Sequence, residues 1–508
     1  MVVSSQPLAS RTGLEVLLRG GNAIDATVAM AAVLNVVEPM STGIGGDAFI
    51  LAYLAGSHEI KGLNASGRSP ADAALEAFKR RKLDTVPDSG ILPVTVPGAL
   101  DGWSTILDSH GSLSLGELLQ PAIRYAEAGF PVGAKTAHKW RRHQKKLADA
   151  NAAANYLIDG EAPKAGQTFR QERLAATLKK IAREGKKVFY EGEIAEAIVK
   201  FSRQRGGLLS LDDLASHSST WAAPLHTTYR GATVYEMGPN TQGVTVLQML
   251  NMLEAFDPAS LGRDTAAYRH LLIEIKKLAF ADRDRYIADP EQARIPVEML
   301  IDKSRAREQT RRIDPGRASV YPEKPVEADT QFFAAVDRAG NAVAFINSLF
   351  DPFGCGLVAG DTGVLLHNRG KFFSLDPRHP NCIAPRKRPR HTIIPALAFK
   401  NDRPFLVFGV TGGDMQPQGH VQLLADIVDF GMTLQEALDA PRVNHLAGLE
   451  IGLESPAAEK VKEELAEKGH RVVAHEDFGV GQGILFDQER GALEGGSDPR
   501  HDGCAMGF

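Results

Sequence analysis

Few residues in this sequence have types and spacings that could do chemistry. The 15 histidines are scattered. They show no His-x-x-x-His or Glu-x-x-His pairing of the kind that presents metal ligands on one helix face, so no metal is expected. No Gly-x-Ser-x-Gly elbow occurs, which removes the serine nucleophile of α/β-hydrolases. Met40–Asp47 (MSTGIGGD) is glycine-rich, but it follows a helical stretch and precedes a strand, whereas a dinucleotide loop follows a strand and opens a helix. A Walker loop is absent as well. The plainer expectation for Gly43–Asp47 is a tight turn with positive-φ positions. Asp477-Phe478-Gly479 lacks every companion motif of a kinase. The densest basic stretch, Lys135–Lys146 (KTAHKWRRHQKK), reads as a solvated helix face. Arg386–Arg390 (RKRPR) lies between apolar strands and contains a proline, unlike a targeting tract. Thr330, directly after Asp329, remains. It opens a strand, where a β-branched residue ordinarily serves structure alone.

The elements that must position these residues follow from periodicity. Leu14–Arg19 and Asn22–Val37 have helical period, with Gly20-Gly21 between them. Within the second, Ala26–Val37 is nearly apolar for 12 residues, too short for a membrane span and suited to a buried helix. Strands are expected at Ala48–Tyr53 and Tyr229–Tyr235, and long helices at Val244–Ala255 and Ala266–Tyr286. After about Ala328 the texture turns to strands. Gln331–Asp337 and Asn341–Phe350 read as one hairpin, and Thr392–Phe399 with Pro404–Val410 as another. Helix returns at Gln416–Asp429 and Leu434–Ala440, before a last strand beginning at Gly483–Asp487. Helices, then packed antiparallel hairpins, then helices again is the pattern of an α/β layered fold.

Composition bounds the partners. The 508 residues are 43% hydrophobic and 24% charged, with a net charge of −4. That excludes a largely disordered chain and offers no global field for nucleic acid or an anionic membrane. Three widely spaced cysteines (Cys355, Cys382, Cys504) form neither a disulfide framework nor a zinc pattern. The N-terminus shows no export signal, so a cytoplasmic setting is expected.

Several segments, in order along nearly the whole chain, resemble the γ-glutamyltranspeptidase family of N-terminal-nucleophile hydrolases. They are Ser5–Ala9 (SQPLA), Gly20–Ala26 (GGNAIDA), Glu38–Asp47 (EPMSTGIGGD) and Val96–Trp103 (VPGALDGW), followed by Asp329–Asp337 (DTQFFAAVD), Phe353–Gly356 (FGCG), Lys387–Pro389 (KRP), Gly409–Asp414 (GVTGGD) and Gly495–Arg500 (GGSDPR). The resemblance implies a four-layer αββα sandwich. It also implies a precursor that cuts itself between Asp329 and Thr330, leaving residues 1–329 as a large subunit and 330–508 as a small one. Two such heterodimers could pair. The free α-amine of Thr330 would then act as base for its own hydroxyl, which an amide nitrogen cannot do. Thr330 would form an acyl-enzyme, with Ser348 contacting it and the N–H groups of Gly412 and Gly413 receiving the oxyanion. Arg68, in Asn64–Pro70, matches the arginine that binds the substrate carboxylate.

The sequence also departs from the family pattern. Phe372, Arg369 and Phe350 hold the positions that grip a glutamyl ammonium, and His391-Thr392 replaces a serine pair. Phe372–Pro385, at the place of the family's lid loop, looks short. Arg369, His391 and Thr392 therefore join Arg68 as expected substrate-binding residues, Arg369 being a second cation beside the first. An acyl group with a buried ammonium should bind poorly here. The expected activity is hydrolysis, more than transfer, of small-molecule amides, without a cofactor. The acyl group would come from γ-glutamyl compounds such as glutathione or from a small carboxylated amide such as oxamate. A binding protein that has lost catalysis is the alternative of another class.

Overall fold

Two antiparallel sheets carry the chain in the computed structural model, which describes residues 1–321, 328–454 and 459–508 of the unbroken polypeptide. The first contains β1 (Val2–Ser4), β2 (Asp47–Leu54), β3 (Glu59–Ala65) and β4 (Thr220–Ala222) from the N-terminal part. The second takes β5 (Leu225–Tyr229) and β6 (Ala232–Glu236) from that part. The C-terminal part adds β7 (Asp329–Val336) and β8 (Ala342–Phe350) to the first sheet. It adds β9 (Ala396–Lys400), β10 (Arg403–Val410), β11 (Gly481–Asp487) and β12 (Ala492–Ser497) to the second, and returns to the first with β13 (Cys504–Met506). The strand orders are β13-β1-β7-β8-β2-β3-β4 and β12-β11-β10-β9-β6-β5.

Period-2 alternation builds the layers. On β2, β7 and β8, residues Phe49, Leu51, Phe332, Ala334, Ala344 and Ile346 meet Leu397, Val407 and Ile484 of the second sheet in one apolar core. Their neighbours Ala48, Ile50, Phe333, Ala335, Val343 and Phe345 face the other way. They pack on helices α1 (Pro7–Leu18), α2 (Ala23–Val37) and α3 (Ala99–His110). The outer face of the second sheet, including Val234, Ala396, Ala398, Leu406 and Phe408, packs on three further helices. These are α5 (Gly243–Leu253), α6 (Ala266–Tyr286) and α7 (Met415–Val428); α4 (Ala134–His143) lies at the site described below. Helix, sheet, sheet, helix is the expected αββα sandwich.

Helix α2 is buried along its whole length, as its apolar run requires, and opens on a capping box between Asn22 and Asp25. Among the described residues no helix is long and apolar enough to cross a membrane. The two expected hairpins form, one in each sheet. The single strand expected at Tyr229–Tyr235 is instead the turn of a hairpin, because Arg230 and Gly231 adopt φ of 49° and 81° and reverse the chain.

Candidate active site

Three adjacent strand ends bring the central residues together. Thr330 is the second residue of β7, and Ser348 lies on β8 directly opposite Asp47, the first residue of β2. A register shift between Asn347 and Phe350 interrupts the β7–β8 ladder at this point, and Phe350 takes a φ of 78°. Bulges of this kind re-aim side chains at sites. Here the result is that the Thr330 hydroxyl donates to Ser348 Oγ at 3.1 Å, and the Ser348 hydroxyl donates to the Asp329 carbonyl oxygen at 2.8 Å. Ser348 Oγ also accepts from Phe350 N at 2.8 Å and, more weakly, from Arg369 Nη2 at 3.3 Å. One hydroxyl therefore touches both the candidate nucleophile and the carbonyl that precedes it.

A buried charge network lies behind these hydroxyls. Arg369 is fully buried; its Nη1 donates to Thr392 Oγ1 at 3.0 Å and its Nε lies 3.5 Å from Asp47. Asp47 accepts from His367 Nδ1 at 2.9 Å, His391 Nε2 at 3.0 Å and the backbone N–H of Gly67 at 2.8 Å. Burial pushes the Asp47 carboxyl up, but the His367 and His391 rings outweigh it and hold the group well below the usual carboxylate range. Burial, with Arg369 beside it, pushes His391 down to about 3, so this ring is neutral. Burial lowers Arg369 to about 10 against the pull of Asp47, and the guanidinium stays charged at neutral pH. Its flat face rests on Phe350, 4.1 Å from the ring centroid, and Phe350 in turn meets Phe372 at 4.6 Å. The three positions that depart from the family pattern thus form one stack, flanked by Lys371 and Arg390.

Arg68 goes elsewhere. Its guanidinium pairs with both oxygens of Glu291 at 2.9 and 2.8 Å, and Arg388 shares that carboxylate. Arg369 has Asp47 and Thr392 as neighbours, and the backbone next to Arg68, at Gly67, reaches the same Asp47.

The glycine loop differs from expectation as well. Gly43, Gly45 and Gly46 have no positive φ. Glycine is required at position 45 by close approach, since a Cβ would lie 1.8 Å from the Leu365 carbonyl oxygen. Gly412 and Gly413, by contrast, do take φ of 102° and 58°. Neither N–H donates to an acceptor among the described residues, and Gly412 borders the same cavity as Asp329.

That cavity has a volume of about 790 Å³. Its wall includes Lys135, His138, Lys139, Arg142, His143 and Lys146. The basic stretch borders this cavity and is also the solvated face expected of it: Lys135, His138, Arg141 and Arg142 are exposed, while Thr136, Ala137 and Trp140 anchor the opposite side of α4 in the core. Lys139 reaches furthest, bonding Asp329 Oδ1. Burial lowers its ammonium, and the Asp329 carboxylate more than restores it.

A separate buried cluster, His270, Glu274 and His470, has potential ligand atoms within 4.8 Å of one another. Lys277 and Ser319 already occupy the Glu274 oxygens.

The gamma-glutamyltranspeptidase family model matches residues 9–508. The chain belongs to the gamma-glutamyltranspeptidase family. It is an enzyme of that hydrolase and acyltransferase group. A Bacillus subtilis relative, a glutathione hydrolase-like YwrD proenzyme, is 40% identical over 100% of this chain and 98% of its own length. The oxamate amidohydrolase proenzyme of Klebsiella pneumoniae is 36% identical, covering 100% of this chain and 98% of that protein. Among solved structures, the cephalosporin acylase of Bacillus halodurans superposes with a TM-score of 0.93 at 40% identity, over 99% of this chain and 94% of that one. Membership in the gamma-glutamyltranspeptidase family agrees with the layered fold and the ordered motifs.

Four members of the site were missed by sequence reasoning: Asp47, His367, Lys139 and Ser41, whose hydroxyl donates to Asp329 Oδ2 at 2.9 Å. Asp47 and Ser41 lie inside the Glu38–Asp47 motif, and His367 stands two residues before Arg369, so position offered a signal for these three. Lys139 offered none beyond its place in a basic helix.

Proposed function

We propose that this protein is a self-processing threonine amide hydrolase with Thr330 as nucleophile. The carrying observation is Ser348 Oγ, bonded at once to Thr330 Oγ1 and to the Asp329 carbonyl oxygen. In the unbroken chain Thr330 Oγ1 attacks the Asp329 carbonyl carbon while Ser348 donates to the carbonyl oxygen. The C–N bond breaks, the Oγ1 proton passes to the departing nitrogen, and an ester joins Asp329 to Thr330 Oγ1. Water cleaves this ester, leaving a carboxylate on Asp329 and a free amine on Thr330. That amine then takes the hydroxyl proton in each turnover. The substrate carbonyl becomes an ester on Oγ1, its amine leaves with the proton, and water releases the acid. Gly412 and Gly413 supply N–H donors for the oxyanion.

Residues 1–329 and 330–508 are accordingly the large and small subunits. Of the two expected acyl classes, γ-glutamyl groups and small carboxylated groups, the Phe350–Phe372 stack favours the second. An α-ammonium would face aromatic rings flanked by cations instead of an acid. Hydrolysis is read by incubating purified protein separately with glutathione and oxamate and assaying glutamate and ammonia. Thr330→Ala is expected to stay one band on a denaturing gel and to hydrolyse neither. Full turnover by an uncleaved Thr330→Ala protein would overturn the mechanism.

A further inference from the structure

Helix α4 presents Lys135, His138, Lys139 and Arg142 along one stripe into the cavity, at the i, i+3, i+4, i+7 spacing of a single helix face. Lys139 closes on the Asp329 side chain. The carboxylate of Asp329 sits in a cradle of three donors: Lys139 Nζ and the Thr330 N–H (2.8 Å) on Oδ1, and the Ser41 hydroxyl (2.9 Å) on Oδ2. Asp329 is only 4% exposed, so these bonds are sheltered from screening water. Two of the three donors belong to elements that cleavage does not touch, and the third becomes an amine at the same place.

Asp329 is also the first acyl group that Thr330 handles, if the self-cleavage proposed above holds. The ester it forms on Oγ1 is an acyl-enzyme, chemically the same species that later turnovers form. Its acyl part has a fixed shape: two carbon atoms, Cα and Cβ, separate the reacting carbonyl from a carboxylate. The cradle is thus built around a four-carbon dicarboxylic skeleton.

We infer that Lys139 and Ser41 form the carboxylate subsite of the mature enzyme, filled in the unbroken chain by the Asp329 side chain, and that the preferred substrates are monoamides of a four-carbon dicarboxylic acid. Succinamate is the simplest member. Oxamate, with no intervening carbon, falls short of Lys139. A γ-glutamyl amide places its carboxylate three carbons away and overshoots. This inference rests on the reading of Thr330 as nucleophile, but the cradle itself can be tested without any turnover.

The test is calorimetric titration of succinate into two proteins that cannot cleave themselves. Thr330→Ala keeps Asp329 in the cradle and is expected to bind succinate at least tenfold more weakly than the double variant Asp329→Ala/Thr330→Ala, in which the cradle is open. Adding Lys139→Met should return binding to the Thr330→Ala level. Equal binding by the first two proteins, or binding indifferent to Lys139→Met, overturns the subsite. Should Asp329→Ala prevent folding, the processed wild type serves instead. Its kcat/KM is expected to peak at succinamate in the series oxamate, malonamate, succinamate, glutaramate, by tenfold or more over malonamate, and a flat series overturns the inference. If succinate binds the open cradle but no amide is hydrolysed, the subsite stands and the hydrolase reading falls.

Discussion

At the scale of single residues, Ser348 and Asp47 carry different loads. Ser348 Oγ has one proton to give, and it goes to the Asp329 carbonyl, where negative charge would develop in the proposed attack. Removing a donor of this kind from a tetrahedral intermediate costs about 3–4 kcal/mol. Ser348→Ala should therefore slow self-cleavage by a factor of about 10²–10³, seen as slow appearance of two bands in purified precursor, whereas Ser348→Thr should keep most of the rate. Cleavage of Ser348→Ala at the wild-type rate would remove the residue from the mechanism. Asp47 works through charge. It is the counter-ion of buried Arg369 and the acceptor for two imidazoles and one backbone N–H. Asp47→Asn keeps the shape but leaves the guanidinium unpaired in the interior, a defect worth about 3–5 kcal/mol. The expected outcome is a clear fall in the unfolding midpoint, and an unchanged midpoint would mean that Arg369 is neutralised elsewhere.

Elements explain which parts of the site the sequence disclosed. The hairpin β7–β8 was readable because its two apolar runs flank a turn, and Thr330 and Ser348 came with it through the family motif. Asp47, Arg369, His367 and His391 meet only because β2 lies next to β8 and because the chain near Asn368 and His391 packs across their ends. That adjacency is long-range: motif position flagged some of these residues singly, but nothing local in the sequence shows that they meet. Helix α4 keeps the solvated face expected of it, but its border on the cavity was not legible, because a lysine stripe at helical spacing looks the same whether or not a cavity opens beside it. For Arg68, a motif match fixes where the backbone runs but not that the side chain pairs with Glu291. The Gly43–Asp47 loop illustrates how glycine can be essential without any special φ. A methyl at Gly45 would overlap the Leu365 carbonyl oxygen, so Gly45→Ala forces the β2 entrance away from the segment that carries His367 and Arg369. Destabilisation at or above the top of the usual overpacking range of about 1–3 kcal/mol is expected, together with loss of self-cleavage. Gly56→Ala, with open space around it, is the control and should change the midpoint little.

Over the whole molecule, the two products of cleavage would be strands of the same two sheets. β7 and β8 lie between β1 and β2, and β9 pairs with β6, so no surface divides residues 1–329 from 330–508. The processed pieces should elute together in native gel filtration and part only in denaturant; separation under native conditions would contradict the interleaving. The same burial makes the assembly sensitive to acid. Burial lowers His217 to about 4, and His391 and His470 each to about 3. An unfolded chain protonates these rings near pH 6.5. Between that pH and the folded values the unfolded state binds protons that the folded state refuses, so stability falls as pH falls. Each ring contributes a slope of at most about 1.4 kcal/mol per pH unit, and the three together about 4 kcal/mol per unit near pH 5. His501 acts in the opposite direction: burial lowers it, but Glu38 raises it further, so its stabilising effect is complete below pH 6.5 and is lost only at higher pH. It therefore adds no slope of its own on the acid limb. Urea midpoints measured at pH 7, 6 and 5 should therefore drop steeply across the last unit, and His470→Gln should make that drop shallower. A midpoint that stays level from pH 6.5 to 5 would show that these imidazoles take up protons without unfolding the protein.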